Sequence, residues 1–175
     1  LALNLLYQGI VLDAALILFR KDDRSGLTTA ICIITLIIGG IIPIVYAYLA
    51  RKHTPNFRFY RYDHSSRNKA LVLFVYSVGR WNPNDLKFQT LRGVCNMIHH
   101  QKFWMFSPAA LIRSYLIALF AAFRFIDCRF QPIFLCLVFF SHAFSIGIAQ
   151  PLRIRAANVF GAIVSFLSGL IALAL

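Results

Sequence analysis

The 175-residue chain is 59% hydrophobic and 15% aromatic, and it carries 18 Lys and Arg against 6 acidic residues, none of them Glu, for a formal charge of +12. With a mean hydropathy of +0.70, this composition excludes an ordinary water-soluble domain and points to a membrane protein. The excess base lies between apolar runs and not on an amphipathic or RNA-binding pattern, so it suits anionic lipid headgroups and not nucleic acid.

Leu1 to Phe19 is apolar except for Asn4, Gln8 and Asp13, and it stops at the cluster Arg20, Lys21, Asp22, Asp23, Arg24. It predicts a first transmembrane helix. No basic leader precedes this run and the last residues fall inside another, so the expectation is a fragment of a longer protein. Ser25 and Gly26 read as a turn, and Leu27 to Ala50 is a second run long enough to span. Gly39, Gly40 and Pro43 within it mark a kink or close packing on a neighbour. A broken helix lining a substrate site is the sharper alternative.

Arg51 to Trp104 is the only long polar segment and holds ten of the 18 Lys and Arg. Asn56 to Tyr62 interleaves Arg with aromatics, and Lys69 to Val78 is rich in Val, Leu, Phe and Tyr, with the turn-like Asp63-His64-Ser65-Ser66 between them. A short β-hairpin is one reading. Leu71 to Val78 is too short to cross and could instead be interfacial or re-entrant. Arg interleaved with aromatics could stack on bases, but in this context it fits a belt at headgroup level, where rings and snorkelling Arg are expected. Arg51, Lys52, Arg58 and Arg61 are the candidate headgroup contacts here. Gly79 to Asp85 reads as turn, and Leu86 to His100 has the spacing of an amphipathic helix. The pair His99-His100 does not share a helical face and has no third ligand at a defined spacing, so it reads as surface histidines and not a metal site.

Met105 to Ile126 is the third predicted span, with Ser107-Pro108 as cap and first turn. It holds Arg113 and Arg124, eleven residues apart and on one helical face. Arg124 can snorkel to the interface. Arg113 is deeper, at a cost of about 2.5 kcal/mol or more on insertion scales, and needs a partner, water or local bilayer thinning. Asp13 is the candidate partner. Asp127-Cys128-Arg129 forms a turn, and Phe130 to Ala149 is the fourth span, with His142 towards its middle. A lone His there is a satisfied polar group first and a proton relay second. Gln150 to Asn158 is a basic loop containing Arg153 and Arg155, two further headgroup candidates. Val159 to Leu175 is the fifth run, whose Gly161, Ser165, Ser168 and Gly169 offer a small-residue face for packing, self-association or a protein partner.

Residues 1–50 thus form two spans, 51–104 a basic polar region and 105–175 three spans, an all-α bundle of about five spans. With five spans the polar region and the 150–158 loop share a side, which bears twelve Lys and Arg against four opposite. The positive-inside rule places that side in the cytoplasm, and the first and third helices then both run outward. A 1.5 Å rise puts Asp13 roughly 18 Å and Arg113 roughly 12 Å from their starts, which allows a pair. The four cysteines, at 32, 95, 128 and 136, have neither CxxC nor metal-ligand spacing, and a disulfide framework is not expected.

From Val78 onwards the order of Gly79-Arg80-Trp81, Pro83, Phe88, Phe103-Trp104, Cys128, Gln150-Pro151-Leu152-Arg153 and Asn158 resembles the C-terminal multi-span region of large trypanosomatid surface proteins of the dispersed-gene-family type. That region is itself loosely similar to the membrane parts of TRP-like channels. The resemblance implies an extracellular region upstream and an anchoring role here, and it brings no catalytic residues to carry over. The leading expectation is therefore a membrane anchor and interaction region of a surface protein, with the plasma membrane as its site. The alternative is a channel or transporter core in which Asp13, Arg113 and His142 line a path. Enzymatic chemistry is the weakest reading, since no paired carboxylates, nucleophile elbow, histidine box or phosphate loop occurs and no pattern calls for a cofactor.

Overall fold

A computed structural model describes residues 2–20, 25–63, 77–83, 98, 100–123 and 128–174. Among them the chain forms five helices and a two-stranded antiparallel sheet, in the order α1 (Ala2–Phe19), α2 (Gly26–His53), β1 (Phe57–Arg61), β2 (Gly79–Pro83), α3 (Phe106–Ala122), α4 (Phe130–Ala149) and α5 (Arg155–Ala174). The all-helical class holds. Three helices, α2, α4 and α5, are long and apolar enough to cross a membrane, whereas the apolar stretches Leu6–Phe19 of α1 and Phe106–Ala122 of α3 are shorter.

Helix boundaries follow local chemistry. The Ser25 hydroxyl accepts from the Thr28 amide at 3.2 Å, so Ser25 is the N-cap and Gly26 opens α2 instead of completing a turn. The same helix runs past Ala50 through Arg51, Lys52 and His53, whose positive charge suits its C-terminal end. α3 is capped by Met105, which puts Ser107 and Pro108 inside the first turn. Proline costs nothing there, because the first amides of a helix have no intrahelical acceptor. α5 begins at Arg155, four residues before the expected Val159.

The long helices bury small residues and expose large ones. On α2 the buried positions are Cys32, Gly39, Pro43 and Ala50, while Ile31, Ile34, Ile38, Ile41 and Val45 are exposed. On α5 Ala156, Asn158, Ser165, Gly169 and Ala172 face inward, and Val159, Phe160, Ile163, Val164 and Ile171 face outward. Small residues let backbones approach, which is how helices associate where lipid offers no hydrophobic incentive. α4 and α5 form the most intimate pair: a Cβ on Gly169 would sit 2.6 Å from the Phe140 ring, and one on Gly161 would sit 3.3 Å from Ile146. The small-residue face expected on α5 is thus taken up within the chain.

α1 and α3 run parallel. Val11 and Tyr115 meet at Gly39 of α2, and eight residues further along each helix Phe19 stacks on Phe123 with centroids 5.6 Å apart. Phe123 and Phe120 continue that stack onto Phe134 of α4, so aromatic rings hold three helices together at this end.

Pro43 has no amide hydrogen, so the carbonyl one turn earlier, that of Gly39, loses its helical donor. The Tyr7 hydroxyl of α1 donates to that carbonyl at 2.7 Å. Tyr115 of α3 likewise donates to the Leu36 carbonyl at 3.2 Å. The Gly39-Gly40-Pro43 stretch is therefore a packing site joining α1, α2 and α3.

The hairpin differs from the expectation. β1 lies where the Arg-aromatic stretch predicts a strand, and it pairs with Gly79–Pro83, read as turn; of the expected partner Lys69 to Val78 only Ser77 and Val78 lie among the described residues, and the Tyr62 amide donates to the Val78 carbonyl at 3.0 Å. Gly79 faces Arg61, where a Cβ would collide with the Tyr60 carbonyl and approach the Phe59 ring at 2.8 Å. Glycine here marks a close backbone approach and not a turn. Residues 64–76 and 84–97 lie outside the described residues, and with them most of the interfacial segment and of the expected amphipathic helix.

Tyr7→Phe should lower stability in detergent by about 1–3 kcal/mol, the cost of a buried carbonyl left without a donor. In Pro43→Ala the ladder amide returns, so adding Tyr7→Phe should cost much less. Thermal unfolding of the two single variants and the double variant measures this coupling, and strict additivity would contradict it.

Candidate membrane-interface site

At the end of the bundle where α2 stops, the chain folds into a small aromatic core. Ala50, Phe57, Trp81 and Ile98 are each fully buried, with Tyr46, Phe59, Phe103, Trp104 and Phe106 packed around them. Alternation along β1 turns Phe57 and Phe59 inward and Arg58 and Tyr60 outward. Phe59 opposes Trp81 across the sheet, with ring centroids 5.1 Å apart. A buried indole N–H needs an acceptor, and Trp81 Nε1 donates to the Ile98 carbonyl at 2.6 Å.

The same core captures the loop between α4 and α5. Ile98 forms an isolated antiparallel bridge with Leu152, and the Val78 amide donates to the Arg153 carbonyl at 2.9 Å. Asn158, 3% exposed, fastens this loop to α5. Its Oδ1 accepts from the Leu152 amide at 2.9 Å, and its Nδ2 donates to the carbonyls of Leu152 at 3.1 Å and Ile154 at 3.4 Å. One amide side chain thus bonds three backbone groups of this loop, of which the Ile154 carbonyl also accepts from the Ala157 amide at 3.1 Å. Gln150, in the left-handed conformation at φ 45°, ends α4 and turns the chain towards the buried Pro151. The two basic loops therefore meet at one end of the bundle.

Between them lies a cavity of about 370 Å³. Arg61 of β1, Lys102 and Arg155 of α5 bring three cations to its wall, with Gln150 and Asn158 beside them and, among the described residues, no Asp or Glu. Among the described residues none of the three cations is held in an ion pair. Of the headgroup candidates, Arg61 and Arg155 line this cavity. Arg51, Lys52 and Arg58 are exposed around it in sequence but not in its wall, with Lys52 Nζ 5.7 Å from the Tyr48 ring centroid. Arg153 lends its carbonyl to the hairpin. Sequence reasoning missed Lys102, Gln150 and Asn158. The available signal was Asn158, a polar residue at the head of an apolar helix.

The intramembrane candidates divide. His142 of α4 stacks on Phe106 of α3 at 6.1 Å. Arg113 lies two turns along α3 from Phe106 and on the same face, and its Nε is buried with no hydrogen-bond partner. Asp13 is not with them. Val11, Ala14 and Ala15 form the buried face of α1, and Asp13 lies on the opposite, exposed face, because residues two apart on a helix point nearly opposite ways. The expected Asp13 to Arg113 pair is not formed. Cys32 and Cys136 are buried within helices and Cys128 is exposed, and no group of three His, Cys, Asp or Glu that could hold a metal occurs among the described residues. His100 is exposed, and its Nδ1 accepts from the Lys102 amide at 3.1 Å.

Fold and site define a helical protein with three helices able to cross a membrane and an aromatic, basic cap at one end. No protein-family model, curated protein or solved structure matches the chain.

Trp81→Ala removes the largest buried side chain and strands the Ile98 carbonyl, and it should destabilise the cap by about 3–5 kcal/mol. Asn158→Ala should cost about 1–3 kcal/mol by freeing the Leu152 groups. Limited proteolysis reads both, and faster cleavage around residues 78 and 153 is the expected result.

Proposed function

We propose that this chain is the multi-pass membrane region of a larger surface protein: a non-catalytic anchor in the plasma membrane, with its aromatic and basic cap in the cytoplasm. The observation that carries the reading is the side-chain distribution of the long helices, small residues inward and large aliphatics outward, which suits lipid and not water. The shorter α1 and α3 complete a five-span arrangement, packed parallel to one another against α2 and, through α3, α4. The joining of the 78–83 segment to the 150–154 loop supports two crossings between them, one by α3 and one by α4. Charge favours the cytoplasm for that end. The resemblance to trypanosomatid surface proteins supports the anchoring role.

The Arg113 and His142 pair favours one second reading, a conducting core. Ionisable groups at mid-membrane are also what line ion and proton paths. In that case proteoliposomes would show ion flux that Arg113→Ala alters.

Labelling tests the anchor. On a background without other cysteines, Tyr60→Cys and Ile154→Cys should react with a membrane-impermeant maleimide from one side, and Cys128 from the other. Reaction of positions 60 and 154 from opposite sides would overturn the arrangement.

A further inference from the structure

The basic cavity lies at the head of a second feature of the α4 and α5 pair. Further along the seam, Ala143 and Phe144 of α4 and Ala162, Ile163, Phe166 and Leu167 of α5 line an apolar groove of about 300 Å³. On α5, Arg155 and Asn158 of the cavity and Ala162 and Phe166 of the groove recur every three or four residues, so they share one helical face. On α4, Phe144 of the groove and Ile148 of the cavity are likewise one turn apart. From Asn158 to Ala162 the rise is roughly 6 Å, so the two spaces follow one another along the bundle, charged first and greasy second.

We propose that this seam binds one anionic glycerophospholipid, with its phosphate among Arg61, Lys102 and Arg155 and an acyl chain in the groove below. The proposal rests on the membrane reading above and names the partner of its basic end. Three lines of chemistry converge. The three cations come from a strand, a 3-10 turn and a helix start, and among the described residues no carboxylate neutralises them. Arg155 is the first residue of α5, so the positive end of the helix dipole adds to the field on an anion. The cavity volume is in the range of small-ligand sites, and basic pockets between helix ends on the cytoplasmic side suit anionic headgroups. A free phosphate would use the cavity alone. The apolar groove further along the seam is what selects a lipid.

The full chain in dodecyl maltoside is titrated with dioleoylphosphatidylserine or dioleoylphosphatidylcholine, and bound lipid is counted by native mass spectrometry. Phosphatidylserine should be retained at least about ten-fold over phosphatidylcholine, and Arg61→Gln, Lys102→Gln and Arg155→Gln should each weaken it about five-fold, the triple variant about a hundred-fold. Ala162→Phe, which fills the groove, should weaken phosphatidylserine but not glycerophosphoserine, which lacks acyl chains. Arg129→Gln, at the other end of the bundle, should change nothing. Circular dichroism checks helicity, and if the triple variant loses it, the three single variants carry the test. Equal retention of the two lipids, or a triple variant that keeps its helices and its preference, overturns the proposal. Competition by inorganic phosphate as strong as that by the lipid, with no effect of Ala162→Phe, also overturns it in favour of a soluble phosphate site. Carbonate-resistant membrane insertion without lipid preference would sink this site and leave the anchor standing, whereas release by carbonate would sink the anchor as well.

Discussion

The cap is built around one buried hydrogen bond, the indole of Trp81 donating to the Ile98 carbonyl. Ile98 bridges Leu152, and Leu152 is held at both its amide and its carbonyl by Asn158 of α5. Ala50 at the end of α2 packs on the same core. A continuous path of burial and hydrogen bonding therefore runs from the second helix to the last, through segments more than fifty residues apart. Each link satisfies a backbone group that would otherwise be bare in an apolar setting, where a missing partner costs about 1–3 kcal/mol. That makes the cap a unit, and it sets the wall of the basic cavity.

The same rule governs the helices. Pro43 deprives the Gly39 carbonyl of its donor, and Tyr7 supplies one from outside the helix. The polar side chains in these apolar helices mostly serve backbone atoms: Thr35, Ser145 and Ser168 each donate to the carbonyl four residues earlier. Arg113 stands apart from that pattern. Its Nε is buried without a hydrogen-bond partner, so service to the backbone does not explain the residue at this position.

Much of the fold is legible in the amino-acid sequence. The boundaries of α1 and α4 agree with the apolar runs, and the strand at Phe57–Arg61 follows from its alternation. The second strand was misread because Gly79, Asn82 and Pro83 are turn formers by local habit. What overrides that habit is tertiary: Trp81 needs the pocket that Phe57, Phe59 and Ile98 make, and Gly79 needs to be bare against Tyr60. Of the site, Arg61 and Arg155 were visible as charges in basic loops. Their convergence with Lys102 was not, since 40 or more residues separate each of them in the chain and only the closed cap brings them together.

The amino-acid sequence by itself determined where the chain is apolar, for how long, and on which side of the apolar runs the positive charge gathers. Those are local, additive properties of neighbouring residues, and reading them needs no partner. Tertiary structure alone decided which way each helix faces and what each loop touches. α1 and α3 are apolar nearly all round, so no periodicity could say that Asp13 would look outward while the Arg113 Nε is buried. Rotation about a helix axis is settled by the small residues and aromatic rings of its neighbours, and that information is spread over the whole chain.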